Sequence, residues 1–132
     1  MPSVFTRIIK REIPAHIVAE NDECIAFLDI NPLVLGHTLV VPKKEVDYIF
    51  DLDDATLTAL HLFAKKVAVG IGSVIPCERI GVSVIGLEVP HTHVHLIPMD
   101  TADDVNFTRP KLKPTQEELK AVADSIRKAI AL

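Results

Sequence analysis

The chain has 132 residues, 48% hydrophobic and 24% charged, with a formal net charge of −4. That length holds one hydrophobic core rather than two, and the composition is that of a globular protein rather than a disordered one. An acidic balance does not suit the basic stripe needed to follow a nucleic-acid backbone, so no nucleic-acid polymer is expected as a partner; a small phosphorylated ligand needs only a local set of donors. Cys24 and Cys77 lie far apart without CxxC spacing, which predicts reduced thiols and a cytoplasmic setting. No run of ~18 apolar residues is evident, and Arg7, Lys10, Arg11 and Glu12 charge the start, so neither a membrane span nor a signal peptide is expected. The sequon Asn106-Phe107-Thr108 carries no weight without a secretory signal.

In chain order, Val4 to Lys10 can form a short helical turn, and His16 to Glu20 reads as a strand. Asn21-Asp22 is turn chemistry, and Glu23 to Asp29 is a second strand hairpinned to the first. Asn31-Pro32 breaks it, and Gly36 to Pro42 gives a third. Asp53 or Asp54 can cap a helix whose apolar positions Leu57, Leu60, Ala64, Val67, Ala68 and Ile71 recur at helical spacing, with fraying expected at Gly70 and Gly72. Arg79 to Ile85 and Thr92 to Ile97 are the fourth and fifth strands, the last ended by Pro98. Thr115 and Glu118 form a capping-box pattern ahead of Leu119, Val122, Ile126 and Ile130, a helical tail over about residues 115–131. The prediction is an α+β domain: an antiparallel sheet of about five strands, one main helix and a C-terminal helix.

Three of the six histidines fall within five residues, His91-Thr92-His93-Val94-His95. On a strand they project to one side while Thr92, Val94 and Leu96 project to the other. Imidazole, with an unperturbed pKa of about 6.5, is a competent nucleophile and proton carrier near neutrality. A row of three disfavours simultaneous protonation, so a central ring can stay neutral and attack a phosphorus while its neighbours hold the oxygens. Two other readings compete: three satisfied core histidines, and a metal bound through His-x-His. No His-Glu-x-x-His helix, CxxC pair or acidic cluster beyond Glu88 supports the metal. Gly70-Ile71-Gly72 lacks a third glycine and ends a helix, so it is no dinucleotide fingerprint, and neither a phosphate-binding P-loop nor a G-x-S-x-G elbow is found.

The segment His91-Thr92-His93-Val94-His95-Leu96-Ile97 resembles the histidine-triad (HIT) signature, with Thr92 at a usually apolar place. Three further blocks are similar to that family, in its order: Ile8 to Pro14, Phe27-Leu28-Asp29-Ile30-Asn31-Pro32, and Gly36 to Lys43. The resemblance covers about residues 4–99 and implies a single HIT domain over 1–132. It implies a metal-independent, cofactor-free hydrolase or nucleotidyl transferase acting at the α-phosphorus of a nucleoside monophosphate derivative, and a homodimer. His93 matches the nucleophile that forms a nucleotidyl-histidine. His91 and His95 match flanking members that orient it and bind phosphate oxygens, and His37 matches a fourth active-site histidine. Asp29 matches the acceptor of the ribose hydroxyls, while Phe27 and Ile30 match walls around the base, for which a purine is expected.

Departures from the family pattern carry information. Leu87 and Glu88 replace the Gln and Ser of the usual run before the triad, which places Glu88 at the substrate and reopens the choice of leaving group. Ser83 stands nearest the place of the usual Asn. Ser3 and Thr6 occupy the positions of a CxxC that binds structural zinc in some members, so no such zinc is expected. His95 as the third triad member, rather than Gln, favours hydrolysis, with a protonated His37 or His95 passing a proton to the leaving group. Phosphoramidates are the leading substrate class and dinucleoside polyphosphates the alternative. A nucleotide-binding module with little catalysis is the other reading. Lys43 and Lys44 read as a solvated pair, and His16 and His61 have no assigned role.

Overall fold

The computed structural model describes residues 1–130. Three helices, α1 (Val4–Ile9), α2 (Asp54–Val74) and α3 (Gln116–Ala129), accompany five strands, β1 (Ile17–Glu20), β2 (Cys24–Leu28), β3 (Thr38–Pro42), β4 (Arg79–Ser83) and β5 (Val94–Met99). Every strand pair is antiparallel, and the sheet order is β1-β2-β3-β5-β4. The expected α+β architecture is therefore observed. Of the tail expected over 115–131, residue 131 lies outside the described residues.

Alternation along the strands divides the sheet into two faces. One carries Val18, Ala26, Leu28, Val40, Val94 and Leu96 against α2 and α3. The other carries Ile25, Phe27, Leu39 and Val41 against Phe5 and Ile8 of α1. His95 pairs with Leu39 in the β3–β5 register and so falls on this second face. The sheet thus keeps a thick helical layer behind it and only a six-residue helix in front, which leaves room for a cleft beside the histidines.

Helix boundaries follow local chemistry. The Asp53 side chain accepts the Thr56 N–H, capping α2, and Thr115 and Glu118 form a reciprocal capping box on α3. The fraying expected at Gly70 and Gly72 does not occur, because α2 runs unbroken to Val74. A Cβ at Gly70 would collide with the Ile130 side chain, so this glycine lets the end of α3 approach α2. By length and composition α2 is apolar enough to cross a membrane, contrary to the expectation of no such stretch. Here that helix covers the sheet, with Leu60, Phe63, Ala64, Val67 and Ile71 buried.

Several strand ends differ from expectation: β3 starts at Thr38 rather than Gly36, and β5 runs Val94–Met99 rather than Thr92–Ile97. β4 stops at Ser83 rather than Ile85, because Ser83 pairs with His95 and β5 begins one residue earlier, at Val94. Pro98 lies inside β5 instead of ending it. The β3 pairing has already stopped at Leu96, so the missing N–H of Pro98 takes nothing from that neighbour.

Candidate active site

Only His95 of the triad lies on β5; His91 and His93 precede it in irregular backbone. Thr92 explains how that approach is fixed. Its N–H and its hydroxyl both donate to the Val46 carbonyl, each at 2.7 Å. A threonine at a usually apolar position is thus fully satisfied although only 1% exposed. The three histidines are buried and form one row of rings. Phe5 meets His91 and His93 edge-on, at centroid separations of 5.8 and 4.9 Å, and His93 meets His95 at 4.9 Å.

Hydrogen bonds assign each ring a tautomer, because a carbonyl can only accept. His93 Nδ1–H donates to the His91 carbonyl oxygen at 2.7 Å, leaving the Nε2 lone pair for the cleft. His91 Nε2–H donates to the Pro42 carbonyl at 2.8 Å, so its Nδ1 accepts from the Ser3 hydroxyl at 2.7 Å. Both nitrogens of His91 are therefore engaged within the protein. The expectation that its ring binds phosphate oxygens is corrected: its ring is anchored, and its carbonyl holds His93. Burial also pushes the His91 pKa down.

A second relay runs through His37. Gly36, at φ +97°, turns the chain into β3, and a Cβ there would press on Pro98 and Ile75. The Leu33 N–H donates to His37 Nδ1 at 3.1 Å, so the proton of His37 sits on Nε2 and is given to His95 Nδ1 at 2.9 Å. His95 is left with its N–H at Nε2. Burial depresses both pKa values, to about 3 for His37 and about 4 for His95. Neither carries an extra proton near neutrality, which corrects the expectation of a protonated His37 or His95 as proton donor.

Asp29 follows β2 and is half-buried. Its Oδ1 accepts the Asn31 N–H at 2.9 Å, and its Oδ2 lies 3.8 Å from His37 Nε2. Burial raises its pKa, opposed by the Asn31 hydrogen bond and the charge of Lys111. Asp29 lines two clefts. One, of about 220 Å³, is bounded by His93, His95, Glu88, Phe107, Lys111 and Asp29. The other, of about 230 Å³, is apolar and includes Phe5, Ile8, Phe27, Leu39 and Ile30. Phe27 is 3% and Ile30 55% exposed, so the first is a wall from the core and the second a lip.

Asp29, His37 and His95 also present ligand atoms within 4.8 Å of one another. The His37–His95 contact is already occupied by a proton in the relay above, so these groups are arranged for hydrogen bonding. Ser3 and Thr6 join Glu45 instead: the Ser3 N–H donates to Glu45 Oε1 at 2.7 Å, and the Thr6 hydroxyl donates to the same oxygen.

Several sequence candidates lie elsewhere. Lys43 pairs with Glu20 at 2.8 Å and Lys44 with Asp53 at 3.2 Å. Ser83 is an edge-strand residue opposite His95 and does not line the cleft. His16 meets Gln116 at 2.8 Å, and His61 is exposed on α2. Conversely, Phe107 and Lys111 line the histidine cleft without having been anticipated. The available signal was the long aperiodic connection over residues 100–115, since such connections tend to be functional.

Similarity to known proteins agrees with this geometry. A HIT domain model matches residues 10–102. An uncharacterized HIT-like protein of Methanocaldococcus jannaschii is 37% identical over 131 residues, covering 90% of this chain and 97% of the relative. The adenosine 5'-monophosphoramidase of Schizosaccharomyces pombe is 31% identical, covering 98% and 99%. The crystal structure of a HIT-like protein from Bartonella henselae superposes with a TM-score of 0.84 at 32% identity, covering 97% of this chain and 96% of that one. With the triad, the sheet and the matched span in agreement, the chain belongs to the HIT family.

Proposed function

We propose that the protein is a nucleotide-binding hydrolase that cleaves nucleoside monophosphate derivatives at the α-phosphorus, with phosphoramidates as the preferred class. The observation that carries this reading is that an apolar cleft and a histidine cleft share one residue, the carboxylate Asp29. A base fits the first cleft against Phe27 and Ile30, for which a purine is the proposed occupant. The ribose hydroxyls donate to Asp29, a pairing suited to a two-oxygen acceptor. The α-phosphoryl group then lies before His93. The name of the S. pombe relative supports the substrate class.

His93 Nε2 attacks the phosphorus with its lone pair, while Nδ1–H stays on the His91 carbonyl. The P–N bond breaks, and its electron pair leaves on nitrogen. Because His37 and His95 are neutral, the proton that departs with the amine arrives on the substrate nitrogen. His95 Nε2–H stabilises the phosphoryl oxygens as a hydrogen-bond donor. Water then attacks the nucleotidyl-histidine, the N–P bond breaks, and the nucleoside monophosphate leaves with one water proton passing to solvent. No step calls on a metal ion.

A homodimer belongs to the same proposal. Among the described residues, β4 ends the sheet with one edge unpaired, and Val82 on it and Leu62 and Val69 on α2 are exposed apolar side chains. Cytoplasmic residence is consistent with the two free thiols.

The test is turnover of adenosine 5'-phosphoramidate, with diadenosine polyphosphate and AMP binding measured in parallel. Release of AMP from the phosphoramidate, faster than from the polyphosphate, is expected. Tight AMP binding without turnover of either substrate would replace the hydrolase with a binding module, a reading that Leu87 and Glu88 at the phosphate end favour.

A further inference from the structure

The connection between β5 and α3 folds back over the histidines and is tied down there. Phe107 packs edge-on against His95 at 4.7 Å and His37 at 6.1 Å. Arg109 reaches the Leu33 carbonyl at 3.0 Å with one guanidinium nitrogen and holds Asp103 and Asp104 at 3.1 and 3.2 Å with another. The Leu112 N–H donates to the Pro32 carbonyl at 2.9 Å. Residues on both sides of Lys111 are thus fastened to the loop that carries Asp29 and His37.

The fixed charges of the histidine cleft do not suit an anion on their own. Asp29 and Glu88 contribute two carboxylates, and among the described residues lining the cleft Lys111 is the single Lys or Arg. Arg109, two residues away in the chain, is committed to Asp103 and Asp104. Lys111 has no carboxylate partner among the described residues; its Nζ donates only to the Phe107 carbonyl, at a long 3.3 Å. Its charge acts on Asp29, His37 and His95 together.

We propose that Lys111 is a substrate-binding residue whose ammonium group pairs with the phosphoryl oxygens of the bound nucleotide, offsetting Asp29 and Glu88. The proposal rests on the nucleotide reading above and adds to it the part of the chain that holds the phosphate charge. A point charge on a flexible stem fits this task, because the group must follow the phosphorus from substrate to covalent intermediate to product.

The experiment compares AMP with adenosine, which differ in the phosphate. Dissociation constants for both are measured on the wild-type chain, Lys111→Met and Lys111→Arg by titration calorimetry, with thermal midpoints recorded in parallel. Lys111→Met is expected to weaken AMP about five- to tenfold while leaving adenosine within about twofold, and Lys111→Arg is expected to recover most of the loss. Unchanged AMP affinity in Lys111→Met overturns the proposal, as does an equal loss for both ligands, which would mark a structural role. A wild-type chain that binds neither ligand overturns the nucleotide reading itself, and this assignment with it.

Discussion

Replacing Ser3 by alanine removes one oxygen that serves two elements. The Ser3 hydroxyl accepts the Thr6 N–H at 3.0 Å, capping α1, and donates to His91 Nδ1 at 2.7 Å. Losing an N-cap costs about 1 kcal/mol. His91 is 0% exposed, so its ring nitrogen would be left in the interior without its donor, at about 1–3 kcal/mol. The two losses together come to about 2–4 kcal/mol, a fall of about 10 °C in melting temperature for a chain of this size. Urea denaturation of the wild type, Ser3→Ala and Ser3→Thr measures it directly. Ser3→Thr keeps a hydroxyl and should lose less than about 1 kcal/mol. Stability of Ser3→Ala within ~0.5 kcal/mol of wild type would refute the claim that α1 and the triad are joined through this oxygen.

Further expectations concern pH, packing and thiol chemistry. His37 and His95 are neutral in the fold, with pKa values of about 3 and about 4, but protonate near 6.5 when unfolded. The unfolded chain therefore binds more protons below pH ~6.5, and stability should fall as pH drops through that window, by up to ~1.4 kcal/mol per pH unit for each ring. Denaturant midpoints that stay flat between pH 7 and pH 5 would contradict this. Gly70→Ala should destabilise by about 1–2 kcal/mol despite alanine's better helix propensity, because its Cβ collides with Ile130; a stabilised variant in thermal melts would contradict the packing. A thiol reagent should label the half-exposed Cys77 and spare Cys24, which is 1% exposed and whose thiol pKa is raised by burial to about 11; rapid labelling of two thiols in the native protein would contradict that burial.

Much of this architecture is legible in the sequence because its signals are local. Asn21-Asp22 marks the β1–β2 turn, Thr115 and Glu118 cap α3, and α2 shows itself by the spacing of Leu60, Ala64, Val67 and Ile71. The misread boundaries depend on distant partners. Pro98 is tolerated inside β5 because the pairing with β3 stops at Leu96, and Gly70 sits mid-helix where a side chain would collide with Ile130. The site divides in the same way. His93, His95, His37 and Asp29 sit in sequence blocks with recognisable order, and the structure gathers them at one cleft, His37 through its bond to His95. The anchoring of His91 by Ser3 and Pro42, and the arrival of Phe107 and Lys111 over the rings, involve residues far apart in the chain. No periodicity announces such contacts.

The most direct measurement of the central claim is rapid acid- and base-quench labelling with substrate carrying a radiolabel on the α-phosphorus. The account predicts label bound to the wild-type protein through a base-stable, acid-labile bond, mapped to the peptide containing His93, and absent from His93→Ala, which should still bind AMP. Label recovered on another residue, or full turnover by His93→Ala, would contradict it.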